Sequence, residues 1–262
     1  MNRSRKVSIL ITTYNAMPYL PMAVEGIIGQ TYKNWELIIV DDHSSDNSAQ
    51  YLKSIVNESI KVYKNQGKGR GVALNYGLSI CKGEYIAIND ADDISLPNRL
   101  KHQVEFLDKH LEYGLLGSNF IKINSKGVRD YSDKYTDNEV LRRKLSLQSC
   151  IQHSTVMVRR DLLEKIGRYN LKIKFMYDRD MFIRIAECAR IANLKEHLVY
   201  INQHEKQFFL NTYSGWQRYF YQIKYSRIAI GKLSLPIFLY FSNFYHITKN
   251  SLRAYLGKKL NS

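Results

Sequence analysis

Short runs of apolar, often β-branched residues alternate along the first half of the chain with longer segments of mixed polarity. The runs VSILIT at 7–12 and WELIIV at 35–40 are almost continuously apolar, which is typical of strands buried on both faces of a parallel sheet. The predicted strands cover 7–12, 35–40, 60–63 and 85–88, and the predicted helices cover 19–29, 47–57, 72–80 and 97–110.

Strands and helices that alternate with short links predict a doubly wound α/β fold, in which a mainly parallel sheet is flanked by helices. Ligands of such sheets bind beyond the carboxyl ends of the strands. Acidic clusters stand at two of these ends. Asp41 and Asp42 close the second strand. Asp90, Asp92 and Asp93 follow the fourth. We therefore expect carboxylates that are distant in sequence to converge on one edge of the sheet.

The second half of the chain has a less regular pattern. The predicted strands cover 115–123 and 155–158, and the predicted helices cover 139–147 and 178–189. Acidic residues cease near Lys206, where the composition changes. We place a boundary there, between a domain with halves over 1–110 and 111–205 and a helical tail over 206–262.

The charge is unevenly distributed. The whole sequence carries +15, but the tail holds nine Lys and Arg and no Asp or Glu, whereas 1–205 hold 30 basic and 24 acidic side chains. A basic surface indicates a polyanionic partner, such as nucleic acid, an anionic membrane or phosphate-bearing substrates. Net charge by itself does not choose among these partners.

Three cysteines, Cys81, Cys150 and Cys188, form no C-x-x-C pair, so we expect neither a zinc site nor a disulfide framework, and we expect a reducing compartment. The apolar run at 7–11 is shorter than the core of a signal peptide. No stretch reaches the ~20 apolar residues of a membrane-spanning helix. We expect a cytoplasmic protein, with attachment to a membrane surface left open.

Three carboxylates within four residues, at Asp90, Asp92 and Asp93, repel one another unless a cation neutralises them. Mg²⁺ and Mn²⁺ prefer oxygen ligands and often combine one or two carboxylates with substrate phosphates. The alternative is a solvated turn that caps the following helix. The position of the cluster directly after an apolar strand favours the cation site.

The other polar positions near these strand ends each allow two interpretations. Asp41 or Asp42 can accept the imide N–H of a uracil ring, or can simply form the turn before a helix. The loop 67–71 combines Lys68 and Arg70 with three glycines, which suits a diphosphate. A mobile surface loop has the same composition.

The late segment FMYDRDMFIRIA has Asp178 and Asp180 at the start of a predicted helix. One of them can serve as a general base, although acidic residues at this position also favour the helix dipole. His153 and His204 are further candidates for a site. A single histidine is, however, more often structural.

Taken together, the segments VSILITTYN, ELIIVDDHSSDNS and ALNYGLSICKGEYIAINDADDISLPNRL resemble the inverting glycosyltransferases of family 2, which have the GT-A fold. The shorter segments IGRYN and YDRDMFIRIA match more loosely. The resemblance implies a Rossmann-like GT-A catalytic domain over 1–205, with a nucleotide-sugar half and an acceptor half. A C-terminal helical extension follows it.

The resemblance also implies roles for single residues in the donor half. Thr12, Tyr14 and Asn15 would border the nucleotide, and Asp41 or Asp42 would contact its base.

Asp90 and Asp92 match the D-x-D motif of the family, so Asp92 would bind the metal directly and Asp90 would face the ribose or the metal. We add His204 as a further candidate metal ligand. The cofactor implied is Mn²⁺ or Mg²⁺.

Asp178 matches the aspartate of the family's E-D motif, which is the catalytic base. Tyr177 stands where the family has glutamate, so Asp180 remains an alternative base. We assign His153 and Asp180 to the acceptor side of the site.

These roles imply transfer of a hexosyl or N-acetylhexosaminyl group from a nucleotide sugar, taken here as a UDP-sugar, to a glycan or lipid-linked acceptor in surface polysaccharide synthesis. A metal-dependent nucleotidyltransferase is the enzymatic alternative, but the sequence lacks a basic activation loop near its N-terminus. A nucleic-acid-binding module that uses the tail is the non-enzymatic alternative. We expect no nucleic acid as a partner.

The tail has 14 aromatic residues beside its nine cations. Its apolar run at 235–245 is too short to span a bilayer. With Trp216 and the tyrosines at headgroup level, the tail would suit a helix lying on an anionic membrane. The alternative is that these aromatic residues pack on the catalytic domain or on a second subunit of a homo-oligomer.

Overall fold

The computed structural model describes residues 5–124, 126–133, 136–173, 176–204 and 215–260, with only the backbone described over 252–260. The predicted boundary near Lys206 lies outside the described residues.

The first half of the chain folds as four parallel strands joined by helices. Its elements are β1 (Val7–Thr13), α1 (Leu20–Ile28), β2 (Trp35–Asp41), α2 (Ser48–Ile55), β3 (Ile60–Lys64), α3 (Arg70–Ile80) and β4 (Tyr85–Asp90). The strands lie in the order β3-β2-β1-β4, and every neighbouring pair is parallel. The predicted α/β alternation is confirmed.

The apolar runs form strands because helices cover both faces of the sheet. Along β1, Ile9 and Ile11 belong to the hydrophobic cluster that includes α1, whereas Leu10 belongs to the cluster that includes α3. All three side chains are fully buried. A strand in the middle layer therefore carries apolar residues on both faces rather than at every second position.

The second half widens the sheet and makes it mixed. It contains β5 (Ile94–Ser95), α4 (Arg99–Lys109), β6 (Tyr113–Asn124), β7 (Arg129–Tyr131), α5 (Asn138–Leu147), β8 (Met157–Arg159), α6 (Arg160–Lys165), α7 (Tyr177–Cys188) and β9 (Arg190–Gln203). The sheet order is β3-β2-β1-β4-β8-β6-β9-β5, and β7 pairs with β6. Strand β8 is antiparallel to β4 and β6, β9 is parallel to β6, and β5 is antiparallel to β9. Most of the paired length is parallel, as predicted.

One prediction for this half needs correction, and one long strand was missed. The strand predicted over 155–158 begins only at Met157, because His153–Thr155 form a 3₁₀ turn. The long strand β9 was not predicted. Its register against β6 shifts near Ser118 and Asn119, and such an irregularity breaks the alternation of side chains that identifies a strand in sequence.

The strand register brings the acidic strand ends together. Thr13 of β1 lies beside Asp41 of β2, and Thr12 lies beside Asp90 of β4. The expected convergence of carboxylates on one edge of the sheet is confirmed.

The tail forms α8 (Gly215–Lys232) and α9 (Phe238–Leu260), which contact each other. Helix α8 packs against α5 and α7, and its Tyr225 and Ala229 are fully buried in the main hydrophobic cluster. Part of the aromatic content of the tail therefore packs on α5 and α7. None of the helices in the described residues is long and apolar enough to cross a membrane.

Candidate active site

Three carboxylates meet where β4 ends and turns into β5. Ligand oxygens of Asp90, Asp92 and Asp93 all lie within 4.8 Å of one another. Their neighbours differ, so the three groups have different electrostatic environments.

Asp90 is neutralised by protein groups. Its carboxylate forms an ion pair with Arg70, and His153 Nδ1 lies 3.5 Å from the same oxygen. Burial by itself would raise the pKa of Asp90, but the charge of Arg70 and the contact with His153 outweigh burial and hold this pKa well below its usual range. Asp90 is therefore ionised throughout the neutral range.

Asp93 is an internal group of the loop. Its carboxylate accepts hydrogen bonds from the Ser154 hydroxyl and from the Asn202 backbone N–H, the latter at 3.0 Å. Burial, together with the charges of Asp92 and Asp90, raises the pKa of Asp93 well above its ordinary value. Asp93 thus joins the loop after β4 to the 3₁₀ turn and to the end of β9.

Asp92 is the most accessible of the three carboxylates, with 29% of its side chain exposed. His204 Nε2 donates a hydrogen bond to it at 2.9 Å, and the His204 ring stacks on Tyr19 with 4.6 Å between ring centres. Burial raises the pKa of Asp92, and the negative charge of Asp90 raises it further.

A hard divalent cation fits this arrangement. Three converging carboxylates supply oxygen ligands, and a cation would relieve the repulsion that raises the pKa values of Asp92 and Asp93. Within the described residues the cluster of converging ligand atoms comprises the three aspartates, whereas the predicted ligand His204 contacts only Asp92 among them, through Nε2.

The glycine-rich loop reaches the acidic cluster through the ion pair of Arg70 with Asp90, a contact that the sequence did not predict. The Asp42 carboxylate accepts the Gly69 backbone N–H at 2.9 Å and the Asn65 side-chain amide at 2.6 Å. Gly69 has φ +97°, a conformation that a side chain would strain, and α3 begins directly after it at Arg70. Lys68 lies exposed in the same loop.

Polar contacts also join the loop that follows β1 to the loop that follows β2. Asn15 Oδ1 accepts the Ser45 backbone N–H at 2.7 Å, and the Asp41 carboxylate accepts the Ser44 hydroxyl. Tyr14 is 63% exposed in the loop after β1. Asn15 and Asp41 therefore fix the loop after β2, while the Tyr14 ring is free to stack on a ligand.

The two acidic residues of α7 have different surroundings. Asp180 is buried and pairs with Arg184 at 2.8 Å. Asp178 is half-buried in the first turn of the same helix. The ion pair gives Asp180 a structural role within α7, so Asp178 is the better candidate for a base.

Tyr169 is a site residue that had no predicted role, although the segment IGRYN contains it. Its hydroxyl hydrogen-bonds His153 Nε2 at 2.8 Å, and its ring packs edge-on against Tyr177 with 5.8 Å between centres. Tyr177 opens α7 next to Asp178. Tyr169 therefore links the helix of the candidate base to the histidine beside Asp90.

Arg99 is a second residue without a predicted role. It is fully buried, and its guanidinium donates to the backbone oxygens of Ile88 and Val156 and to Asn89 Oδ1 at 2.8–3.2 Å. Burial lowers its pKa to about 9, although the charges of Asp93 and Asp90 act in the opposite direction. Arg99 thus ties β4 to the segment that carries His153.

The carboxylate cluster lies at the carboxyl ends of the strands, where α/β proteins of this Rossmann-like class bind their ligands. The family model for glycosyl transferase family 2 matches residues 8–167. The chain belongs to this family and is a glycosyltransferase, so the resemblance drawn from the sequence is confirmed. Asp178, Asp180 and His204 lie beyond the matched residues.

Relatives support the same class over nearly the whole chain. EpsE of Bacillus subtilis (strain 168), named as a glycosyltransferase, is 31% identical over 98% of this chain and 91% of its own. The O-antigen biosynthesis glycosyltransferase WbnJ of Escherichia coli is 29% identical over 93% of this chain and 95% of its own.

Solved structures confirm the GT-A-like fold. S. aureus TarS 1–349 in complex with UDP-GlcNAc has a TM-score of 0.74 at 21% identity, over 95% of this chain and 73% of that one. The mannosyltransferase PcManGT from Pyrobaculum calidifontis, in complex with GDP-Man and Mn²⁺, has a TM-score of 0.68 at 18% identity, over 95% of this chain and 70% of that one.

Proposed function

We propose that the chain transfers a hexosyl or N-acetylhexosaminyl group from a UDP-sugar to a hydroxyl of a glycan or lipid-linked acceptor, with inversion at the anomeric carbon. The observation that carries the proposal is the contact between two separate segments at one sheet edge. Arg70, from the glycine-rich loop, pairs with Asp90 of the carboxylate cluster.

The donor would lie along the ends of β1, β2 and β4. Thr12, Tyr14 and Asn15 would border the nucleotide, and Asp41 or Asp42 would bind the base. Lys68 and Arg70 would lie beside the diphosphate. TarS has been solved with UDP-GlcNAc and with UDP, which supports a uridine nucleotide, while PcManGT binds a guanosine one.

Asp92, with Asp90 and His204, would hold Mn²⁺ or Mg²⁺. When bound, such a cation stabilises the negative charge that develops on the departing nucleoside diphosphate. The Mn²⁺ in the PcManGT complex supports this assignment.

Asp178 is the proposed base. It would take the proton of the acceptor hydroxyl while that oxygen attacks the anomeric carbon. The bond from the anomeric carbon to the diphosphate breaks in the same displacement, and the diphosphate leaves with the electron pair. His153 and Asp180 would border the acceptor side. His153 would act through its contact with Asp90, and Asp180 would act by holding α7 in place.

We place this reaction in surface polysaccharide synthesis, on a cytoplasmic protein at an anionic membrane surface. WbnJ, which is named for O-antigen biosynthesis, supports the pathway class, and the basic tail supports the membrane setting. A homo-oligomer remains compatible with this setting.

Asp92→Ala tests the donor site. We expect the variant to lose transfer and donor hydrolysis and to lose the increase in melting temperature that UDP with Mn²⁺ gives the wild type. Asp130→Ala is the matched control, because Asp130 is an exposed carboxylate on β7. Unchanged Mn²⁺-dependent UDP binding in Asp92→Ala would show that the metal assignment is wrong. A hydrolysis screen over UDP-, GDP- and dTDP-sugars with Mn²⁺ identifies the donor.

A further inference from the structure

The outer side of α8 carries aromatic residues followed by cations. Trp216 and Phe220 are 66% and 64% exposed, and Lys224 and Arg227 are also exposed. These four residues recur every three or four positions, so they share one face of the helix. That face begins apolar and ends basic.

Helix α9 repeats the same order. Phe238, Phe241 and Tyr245 are exposed at 65%, 69% and 59%, and the exposed Lys249 follows them. The spacing again places all four on one face. Lys249 Nζ lies 5.5 Å from the centre of the Tyr245 ring, so the cation and the aromatic ring are in direct contact.

The two helices run antiparallel, which mixes the two kinds of side chain. The Tyr219 hydroxyl lies 3.2 Å from Thr248 Oγ1, so the start of α8 is beside the middle of α9. The aromatic end of α8 is therefore near Lys249, and the basic end of α8 leads into Phe238. We call the eight exposed residues the tail surface: Trp216, Phe220, Lys224, Arg227, Phe238, Phe241, Tyr245 and Lys249.

Side chains outside the tail surface attach the helical hairpin, which α8 and α9 form, to the rest of the protein. Tyr225 is fully buried on the inner side of α8. On α9, the buried Asn243 amide lies within hydrogen-bond distance of Ser146 and of Ser226, at 2.9 Å and 3.1 Å. The contacts that bury Tyr225 and Asn243 thus use side chains outside the tail surface.

We infer that the tail surface binds the headgroup region of an anionic lipid bilayer. Exposed aromatic rings followed along each helix by Lys or Arg suit the boundary between headgroups and acyl chains, where rings insert and cations meet lipid phosphates. The tail over 206–262 has no Asp or Glu side chain to oppose such contacts. A second copy would bring an equally cationic tail against the first, so like-charge repulsion disfavours that occupant. The inference extends the proposed membrane setting but does not depend on the transfer reaction.

Vesicle flotation with the full chain tests the inference. The vesicles contain phosphatidylcholine alone or with about one third phosphatidylglycerol. We expect the wild type to float only with the anionic vesicles and to be released as salt rises from about 0.1 to 0.5 M.

Two triple variants separate the contribution of the aromatic rings from the contribution of the cations. Phe238→Ser, Phe241→Ser and Tyr245→Ser together should lower the bound fraction about tenfold. Lys224→Gln, Arg227→Gln and Lys249→Gln together should remove the preference for anionic vesicles. All six positions are exposed, and unchanged melting temperatures would show that the fold is intact.

Matched controls change the same chemistry elsewhere on the surface. One combines Leu111→Ser, Val128→Ser and Tyr131→Ser, and the other combines Lys53→Gln, Lys101→Gln and Lys109→Gln; all of these side chains are exposed. Both controls should float like the wild type.

Several outcomes would overturn the inference. They are a wild type that stays at the bottom of the gradient, tail variants that float like their controls, and tail variants that abolish a dimer or oligonucleotide binding but not lipid binding. Donor hydrolysis is measured on the same proteins without vesicles. A failure of membrane binding is therefore distinguishable from a failure of the proposed transfer.

Discussion

At the scale of single residues, the acidic cluster shows how different neighbours give three aspartate side chains different ionisation, hydrogen bonding and exposure. Asp90 is ionised beside Arg70, Asp93 accepts hydrogen bonds inside the loop, and Asp92 is partly exposed. The motif in the sequence contains three equivalent aspartates. Only the second of them combines access with a raised pKa that a cation would relieve.

Asp178→Asn tests the base. The amide keeps the size and shape of the side chain but cannot accept a proton from the acceptor hydroxyl. We expect turnover to fall about 10²- to 10⁴-fold, with the dissociation constant of UDP nearly unchanged. Steady-state kinetics and calorimetry with UDP measure the two effects.

Asp180→Asn is the companion variant. It weakens the ion pair with Arg184, so we expect a lower melting temperature and turnover within about tenfold of the wild type. If the large loss of turnover occurs in Asp180→Asn and not in Asp178→Asn, the base is Asp180.

Tyr169→Phe tests the link between α7 and Asp90. The change removes only the hydroxyl that bonds His153, so we expect about a tenfold loss of kcat with little change in donor KM. Tyr113→Phe is the control. Tyr113 lies at the start of β6, at the ends of the strands opposite to those that carry the carboxylate cluster. Equal loss of kcat in both variants would refute a specific positioning role.

At the scale of elements, Glu36 ties β2 to β1 and to the turn before β4. Burial by itself would raise its pKa, but hydrogen bonds from Ser8, Lys6 and the Lys82 backbone lower the pKa below its ordinary value of 4.5. The lowered pKa stabilises the fold above pH 4.5, and this contribution disappears as the pH falls through the folded-state value.

Glu36→Gln should therefore lower the free energy of unfolding by about 1–3 kcal/mol at neutral pH. The difference from the wild type should shrink as the pH falls below 4.5, the ordinary pKa of this group. Denaturant unfolding at several pH values measures it, and Glu58→Gln, at an exposed position, is the control. A difference that does not depend on pH would mean that ionisation of Glu36 does not stabilise the fold.

At the scale of the whole molecule, Asn243 holds the tail against the domain. Asn243→Asp keeps the size of the side chain but replaces the donating amide with an acceptor that faces the Ser146 backbone oxygen. We expect the free energy of unfolding to fall by about 1–3 kcal/mol and proteolysis of the tail to become faster. Mass spectrometry of the digest measures the proteolysis. Asn250→Asp, at an exposed position of α9, carries the same charge change. Equal protease sensitivity of the two variants would show that Asn243 does not anchor the tail.

The sequence by itself determined the α/β core and the family. Largely apolar runs such as 7–12, bounded by polar turns, indicate strands of a covered sheet, because burial on both faces favours apolar residues at neighbouring positions. The acidic strand ends were predictable too, since parallel strands present their carboxyl ends on one edge.

Only the tertiary structure decided which residues act together. The contacts of Tyr169 with His153 and of Arg99 with Asn89 join positions whose partners no local pattern specifies. Strand β9 was missed because its bulge breaks the alternation on which strand prediction depends. The division of the tail into buried and exposed aromatic rings likewise follows from packing against α5 and α7, because sequence records aromatic content but not the surface that each ring meets.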